Sequence, residues 1–400
     1  MEQDNDASTR RKVRHICIFT SAHPVGDVRV YSRMTCAFLD AGYRISWVGP
    51  ERLLFGPQDK RDPRIQYHLF RDNDSRRKRL MASWVAKQTA LRNITNVDWW
   101  YCPDADAAAV AEQLKTRLGG RVLFDIHEAF DKGVIDRWFG GRAPLLVKWL
   151  VRRRIAQICR RADVVTGVNQ TVLKGYGSRN GDVVVTRLCA PSFFSKGYGT
   201  PPEAPTGKMR VMHGKASAGV GTEQVLDGLE ALRPEVMRGI EITLIRMPGY
   251  EKTFSVDFRK RVEAFRKNGQ VDLVEPVPHM RMPALMASHN VGLIAAQRDF
   301  GVVALPNRLF EYMAAGLAIV APSYSKEIVP IIENEKIGLL VDFEKPAEIT
   351  GALEWLAAHP HEVAAMGQRA RQAFLTTYNW DKEFEKLLQT MRAVESSVAV

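Results

Sequence analysis

The feature that most constrains this chain is an alternation that runs along its length: short apolar runs, each leaving into a polar loop and then a helical stretch. In the first half the runs are HICIFT (His15 to Thr20), YRISWVG (Tyr43 to Gly49), VDWWYC (Val97 to Cys102), RVLFDIHE (Arg121 to Glu128), ADVVTGVN (Ala162 to Asn169) and DVVVTRL (Asp182 to Leu188). In the second they are MRVMHG (Met209 to Gly214), EITLIRMPG, VDLVEPVP, NVGLIAAQ, Ala318 to Ala321 and GLLVDF (Gly338 to Phe343). Strand after helix after strand predicts doubly wound sheets. Between the halves, SKGYGTPPEAPTGK (Ser195 to Lys208) concentrates Gly, Pro and Thr, the composition of a linker. The expected layout is a disordered tail over 1–14, a first domain over 15–195, a linker over 196–208, a second domain over 209–378 and a C-terminal helix over 379–400. Residues 51–95 read as irregular and very basic, with RRKRL (Arg76 to Leu80) leading into a helix.

Four hundred residues exceed one ordinary core, so two domains are the natural expectation. A chain that is 46% hydrophobic and 26% charged has the composition of a soluble globular enzyme rather than a disordered protein. Its five cysteines are scattered without a C-x-x-C pair, which fits a reducing compartment and argues against a disulfide framework or a zinc site. The polar N-terminus lacks an apolar signal core, and no uncharged apolar run is long enough to span a bilayer, so a cytoplasmic location is expected. Charge is unevenly shared. Residues 1–195 hold 33 Lys and Arg against 20 Asp and Glu, an excess of 13, while residues 196–400 hold 24 against 25. A basic first half implies an anionic partner there: nucleic acid, phospholipid or a phosphorylated substrate.

Ligands of open α/β sheets gather at the carboxyl ends of the strands, so the polar residues just beyond each run are the candidates for function. The loop SAHPVGDVRV after the first strand offers His23, Asp27 and Arg29; it lacks G-x-G-x-x-G, which removes a dinucleotide fingerprint. Otherwise these residues merely shape the loop. His127 and Glu128 end the fourth run. In the second half, Gly214 and Lys215 open the loop KASAGVG between strand and helix, where backbone N–H groups and an ammonium can approach a phosphate. The stretch LPNRLFEYMAAGLAIVAP (Leu305 to Pro322) predicts a helix over Arg308 to Ala315, stopped by Gly316, with Leu309, Tyr312 and Met313 as its packing face. Asn307 and Arg308 then lie at a helix N-terminus suited to a phosphate, and Glu311, one turn in, can accept bonds from two sugar hydroxyls. An ordinary solvated helix face is the other reading of Arg308 and Glu311. Two basic stretches with Trp and aliphatic residues at helical spacing, RRKRLMASWVAKQ (Arg76 to Gln88) and LLVKWLVRRRIAQI (Leu145 to Ile158), have the composition of helices that lie in a membrane interface. They carry no stacking-aromatic module, which sets nucleic acid aside as a partner.

The stretch around Glu311 resembles the donor-site segment of bacterial family-four glycosyltransferases of the GT-B fold, whose usual form is PNKLFEYMAAG followed by a hydrophobic strand. HP, D and R after the first strand, a helix ending AGY, and D-x-H-E at Asp125 to Glu128 resemble the same branch. Arg308 stands where the branch has Lys, Val303 where the commoner pattern has a further Glu, and Val220 near the place of a second loop Lys. The resemblance implies two Rossmann-like doubly wound parallel-sheet domains facing a cleft, acceptor side first and donor side second. It implies transfer of a sugar from a nucleotide diphosphate sugar, a UDP-sugar favoured, to a hydroxyl, with retention of configuration and no obligatory metal or other cofactor. Lys215 and Arg308 would stabilise the departing diphosphate, with Gly214 and Asn307 beside them, Glu311 would hold the ribose, and His127 would position the sugar. His23, Asp27, Arg29 and Glu128 would line the acceptor side. The acceptor would be a carbohydrate or lipid-linked, met at the inner face of the plasma membrane in surface polysaccharide synthesis. Two other readings share these residues: a sugar-nucleotide epimerase on the same fold, and a non-catalytic basic membrane-binding homologue.

Overall fold

The computed structural model describes residues 13–51, 61–71, 76–127, 139, 143–174, 176, 183–192, 194, 207–216, 220–247, 249–277, 281–302 and 305–397. The expected tail up to residue 12, most of the expected linker, Glu128 and Val303 lie outside the described residues. The chain divides into two compact units, residues 1–187 with 383–400, and residues 188–382. The division thus falls at Arg187, ahead of the Gly- and Pro-rich stretch.

The first unit is built on a parallel sheet of seven strands: β1 (His15–Phe19), β2 (Arg44–Pro50), β3 (Ile65–Phe70), β4 (Trp99–Cys102), β5 (Arg121–Ile126), β6 (Val164–Gly167) and β7 (Val183–Val185). Their order across the sheet is β3-β2-β1-β4-β5-β6-β7, so the winding reverses between β1 and β4. β3 corrects the expectation of an irregular segment. It is a one-sided edge strand paired only with β2, and its pattern of buried ends and half-exposed middle gives no continuous apolar run. The helix that ends at AGY is entered through a π-helical segment. Asp27 accepts hydrogen bonds from the N–H groups of Arg29 (2.9 Å) and Val30 (2.8 Å), starting a π-helical segment, Val28–Thr35, that continues as α1 (Cys36–Asp40). The Thr35 hydroxyl donates to the Val30 carbonyl at 2.7 Å, which supports the wide turn.

Three helices, α2 (Arg76–Asn93), α3 (Ala105–Leu118) and α4 (Leu145–Arg161), contribute to one core over this sheet. Ala82, Ala86 and Ala90 of α2 and Ala107, Ala108 and Ala111 of α3 are small enough to bring the helices close to Phe19, Trp100 and Phe124. The C-terminal helix also belongs to this unit. Phe384 meets Phe38 edge-on with ring centres 5.0 Å apart, Glu383 accepts from Arg187 Nη1 at 2.9 Å, and Glu395 accepts from Trp99 Nε1 at 2.7 Å.

The second unit carries a parallel sheet of six strands: β8 (Met209–Ala216), β9 (Ile240–Arg246), β10 (Val271–Val274), β11 (Val291–Leu293), β12 (Ala318–Pro322) and β13 (Gly338–Val341). Their order is β10-β9-β8-β11-β12-β13, so the winding reverses between β8 and β11. Helix α5 (Thr222–Glu230) follows β8, α6 (Asn307–Ala315) precedes β12, and Gly316, left-handed with φ 74°, stops α6 as its sequence predicts. Apolar residues cover both faces of the sheet, one around Val225, Leu229 and Phe258, the other around Leu309, Met313 and Ile319.

Candidate functional site

In each unit the candidate side chains collect where the winding of its sheet reverses, the place at which open α/β sheets bind ligands.

In the second unit the site is built by α6. Arg308 and Tyr312 lie one turn apart, and both reach the end of β8. Arg308 Nη1 donates to the His213 carbonyl and Nη2 to the Ala295 carbonyl just beyond β11, each at 3.1 Å, so one guanidinium bridges the two strands at the reversal. The Tyr312 hydroxyl donates to the Met212 carbonyl at 3.0 Å. Room for its ring comes from Gly292 on β11, where a Cβ would fall 2.2 Å from Tyr312 Cδ2. The two bonds grip a bulge: the register of β8 slips between Met212 and Gly214, and Gly214 takes a φ of +83° that disfavours any side chain. A Cβ on Gly214 would lie 3.7 Å from Arg308 Nη1, so Gly214 and Arg308, 94 positions apart, share one spot.

Lys215 follows, exposed, and belongs to β8 rather than to the loop expected there; the strand extends to Ala216 because its pairing with β9 resumes after the bulge. Asn307 is the first residue of α6, behind Pro306, which supplies the extended N-cap geometry but no capping side chain. The α6 amides are therefore free of a side-chain cap. Glu311 is 8% exposed, on a helix buried from Leu309 to Ala315, so it is not part of a solvated face. A carboxylate placed there costs free energy unless it is satisfied by partners.

His213 is a residue that the sequence reading did not single out. It is fully buried beside Gly214, its Nε2 lies 3.0 Å from the Thr222 hydroxyl at the start of α5, and burial and then the nearby Arg308 charge push its pKa down to about 3. It is neutral at physiological pH.

In the first unit, the loops after β1 and β4 face each other. His23 stands between two carboxylates, Nδ1 3.4 Å from Asp27 Oδ2 and Nε2 3.5 Å from Asp104 Oδ1. Burial alone would depress His23, but Asp104 and Asp27 outweigh it and raise its pKa to about 9. His127, just past β5, packs edge-on against His23 with ring centres 5.0 Å apart. Its pKa moves the other way, lowered first by burial and then by the charge of His23. Arg29 is buried and forms a two-pronged pair with Asp125, which also accepts from the Tyr101 hydroxyl at 2.7 Å. Asp104 in turn accepts from the Thr20 hydroxyl at 2.5 Å and the Ser21 amide at 2.9 Å. Asp104 and Tyr101 were not read from the sequence, although both sit at the carboxyl end of a strand. Asp27, Arg29, His23 and His127 are thus brought together in one network.

The comparisons with known proteins fit this geometry. Residues 241–389 match the family model of glycosyl transferase-like proteins. No curated protein matches the sequence. Among solved structures, a glycosyltransferase from Rickettsia africae is 12% identical, with 96% of this chain and 99% of that one aligned at a TM-score of 0.72. Anabaena HepE in complex with UDP is 13% identical, with 95% and 100% covered and a TM-score of 0.68. A sucrose-phosphate synthase from Thermosynechococcus elongatus is 16% identical, with 96% and 100% covered and a TM-score of 0.66. At such identities these likenesses establish the fold, which is GT-B, with the two parallel-sheet units that the sequence led us to expect. The chain thus has the GT-B fold, and residues 241–389 within it match the glycosyl transferase-like family model.

Proposed function

We propose that this enzyme moves a sugar from a nucleotide diphosphate sugar, a UDP-sugar favoured, to a hydroxyl of a carbohydrate or lipid-linked acceptor, with retention and without an obligatory metal. The observation that carries the donor half is the convergence of Gly214, Arg308 and the N-terminus of α6 at the reversal of the second sheet, with Glu311 one turn further on. Donors gathered there stabilise negative charge, and charge on a diphosphate grows as the sugar leaves. Arg308 gives one N–H to each of two carbonyls, out of the five that a guanidinium carries. Lys215 adds an exposed ammonium on the same strand end, and Asn307 opens the helix beside it. Glu311 accepts hydrogen bonds from a ribose. The structure of HepE holds UDP, which supports a uridine donor here.

On the first unit His127 positions a sugar, and His23 and Asp27 line the acceptor side; Glu128 belongs to the same reading but lies outside the described residues. We place the acceptor at an anionic membrane surface, in the synthesis of a bacterial surface polysaccharide. The support is α4, which leaves Leu145, Leu146, Trp149 and Leu150 exposed beside exposed Arg152, Arg153 and Arg154. Among the described residues no helix is long and apolar enough to cross a membrane.

The test is a thermal-shift screen of sugar nucleotides, followed by release of the nucleoside diphosphate with and without acceptors. A ligand that binds only the folded state raises its melting temperature. Stabilisation by one UDP-sugar and acceptor-dependent UDP release support transfer. Turnover that needs no acceptor points to epimerisation, and stabilisation without turnover to a binding protein.

A further inference from the structure

The pairing of His23 with His127 has no counterpart in the donor site, and its geometry says more than that both histidines are near a substrate. His23 is not oriented by a backbone carbonyl or a lone hydroxyl. It is held from both ring nitrogens by carboxylates, Asp27 from the start of the π-helical segment and Asp104 from the loop after β4, at 3.4 and 3.5 Å. Those carboxylates are themselves fixed. Asp27 caps the helical segment through two amides, and Asp104 takes the Thr20 hydroxyl and the Ser21 amide. The ring of His23 therefore has a set position, and it meets His127 edge-on at 5.0 Å.

We infer that His23 is a positioning residue: clamped between Asp27 and Asp104 as a cation, it keeps the adjoining His127 a neutral imidazole, able to accept a hydrogen bond from a substrate hydroxyl. This rests on the glycosyl-transfer reading for the substrate, but the charge relation within the pair does not.

The physical case is a contest between charges that face His127. From β5, Asp125 favours a proton on His127; from the loop after β4, Asp104 does the same. Against them stand burial, the charge of His23 on the β1 loop, and Arg29 on the π-helical segment, which already neutralises Asp125 through its two-pronged pair. Tyr101 on β4 donates to Asp125 and stays un-ionised, because burial and then Asp125 hold its phenol up. With His23 charged, the two imidazoles cannot both be cations cheaply at this distance in a buried site. Environments that push two neighbouring titratable groups apart assign one proton-bearing and one accepting partner. Without His23, Asp104 and Asp27 would lose their cation, and His127 would face Asp104 and Asp125 without the charge that opposes its own protonation.

The experiment follows the His127 ring resonances of the full-length, ligand-free protein by NMR as pH is varied, alongside the pH dependence of kcat/KM with a UDP-sugar. In the wild type the His127 midpoint is expected below that of an ordinary histidine, while His23 stays charged to above pH 8. His23→Gln, which keeps a polar side chain but no charge, is expected to raise the His127 midpoint by at least one pH unit and to move the acid limb of kcat/KM by the same amount, so that activity lost at pH 6 is recovered at pH 8. His23→Lys restores a cation and is expected to return His127 to its wild-type titration. An unmoved His127 midpoint in His23→Gln, or equal midpoints in the Gln and Lys variants, overturns the inference. A drop in kcat/KM by the same factor at every pH also overturns it, since that is the mark of a structural role alone. If the NMR shift occurs but no UDP-sugar is turned over, the pair stands and the glycosyl-transfer reading falls.

Discussion

Arg29 and Asp125 hold each other through two parallel hydrogen bonds, Nε to Oδ2 at 2.7 Å and Nη2 to Oδ1 at 2.5 Å, with neither side chain more than 6% exposed. The pair joins the segment after β1 to the end of β5, across the strand that carries Tyr101, and so ties together the loops that bear His23 and His127. Burial would raise Asp125, yet the Arg29 charge outweighs it and the carboxyl sits below its usual range. Arg29→Met leaves a buried carboxylate without its cation. We expect this to cost about 3 to 5 kcal/mol of stability in the first unit, and the double change Arg29→Met with Asp125→Leu to recover most of it. Chemical denaturation followed at the tryptophans of the first unit checks both, and a single variant as stable as the wild type would remove Arg29 from its structural role.

Glu311 carries the next prediction. If it holds two ribose hydroxyls, Glu311→Ala removes their charged acceptor and is expected to weaken UDP binding by about 2 to 3 kcal/mol. Calorimetric titration with UDP reads this directly. Unchanged affinity in a folded variant would show that Glu311 serves the packing of α6 instead.

Lys215 and Arg308 differ in what their loss should do. Charge that develops as the diphosphate leaves is felt in kcat, so Lys215→Ala, at an exposed position, is expected to lower kcat by about 10-fold or more with little change in donor KM. Arg308→Lys keeps the charge but cannot bridge the His213 and Ala295 carbonyls as a fork does. Its expected signature is a rise in KM together with a fall in kcat, because the bulge at Gly214 loses one of its two grips. Steady-state kinetics on both variants separates the charge from the brace.

Two buried histidines are expected to make the second unit less stable in acid. His213 is pushed down to about 3 and His289 to about 4, in each case first by burial and then by a nearby arginine, Arg308 or Arg210. Their folded values lie below the unfolded one, so below about pH 6.5 the unfolded chain binds protons that the folded chain refuses. Stability contributed by neutral His213 and His289 is full above that pH and declines as pH falls toward the folded values. The expected loss is about 1 kcal/mol per histidine for the step from pH 6 to pH 5. Calorimetric melting of the second unit against pH, repeated for His289→Gln, should show a shallower decline in the variant; identical slopes would mean that His289 is not held neutral.

The strands could be read in the sequence because a parallel sheet covered on both faces writes itself as unbroken apolar runs, as in WWYC or AIVAP. The α6 stretch was legible for a second reason: Leu309, Tyr312 and Met313 recur at helical spacing ahead of Gly316, a residue suited to the left-handed stop it makes. β3 was hidden by its place at the edge, where one face packs and basic neighbours surround it. The site was readable only in part, since a sequence shows which residues follow a strand but not which loops meet. Nothing in the spacing of His23 and Asp104, 81 positions apart, says that β1 and β4 are neighbours. Likewise Arg308 reads as a free cation at a helix start until the fold shows two carbonyls taking one side of its guanidinium.

The first unit is expected to bind an anionic membrane surface. In a doubly wound sheet each crossover helix starts at the carboxyl end of the strands, the end that carries His23 and His127. α2 and α4 are such helices, and their exposed apolar residues are in their N-terminal halves: Met81 and Trp84 on α2, each 57% exposed, and Leu145, Leu146, Trp149 and Leu150 on α4, from 51% to 84% exposed. The same helices bury Ala82, Ala86, Ala90, Ile155 and Ile158, so the exposed residues, Trp84 and Trp149 among them, are not needed for the core. Arg153 lies over the Trp149 ring at 5.4 Å, an arrangement in which the aromatic and the cation reach the same depth of an interface. Each basic residue held near an anionic leaflet contributes about 1 kcal/mol, and burial of the apolar side chains adds to it. We therefore expect sedimentation with liposomes that contain anionic lipid, weaker as salt rises. Changing Arg152, Arg153 and Arg154 together to Glu should abolish it, and Trp149→Ser should weaken it without altering the salt dependence. Binding that ignores lipid charge, or none at low salt, would put the acceptor in solution and leave the exposed face of α4 to another partner.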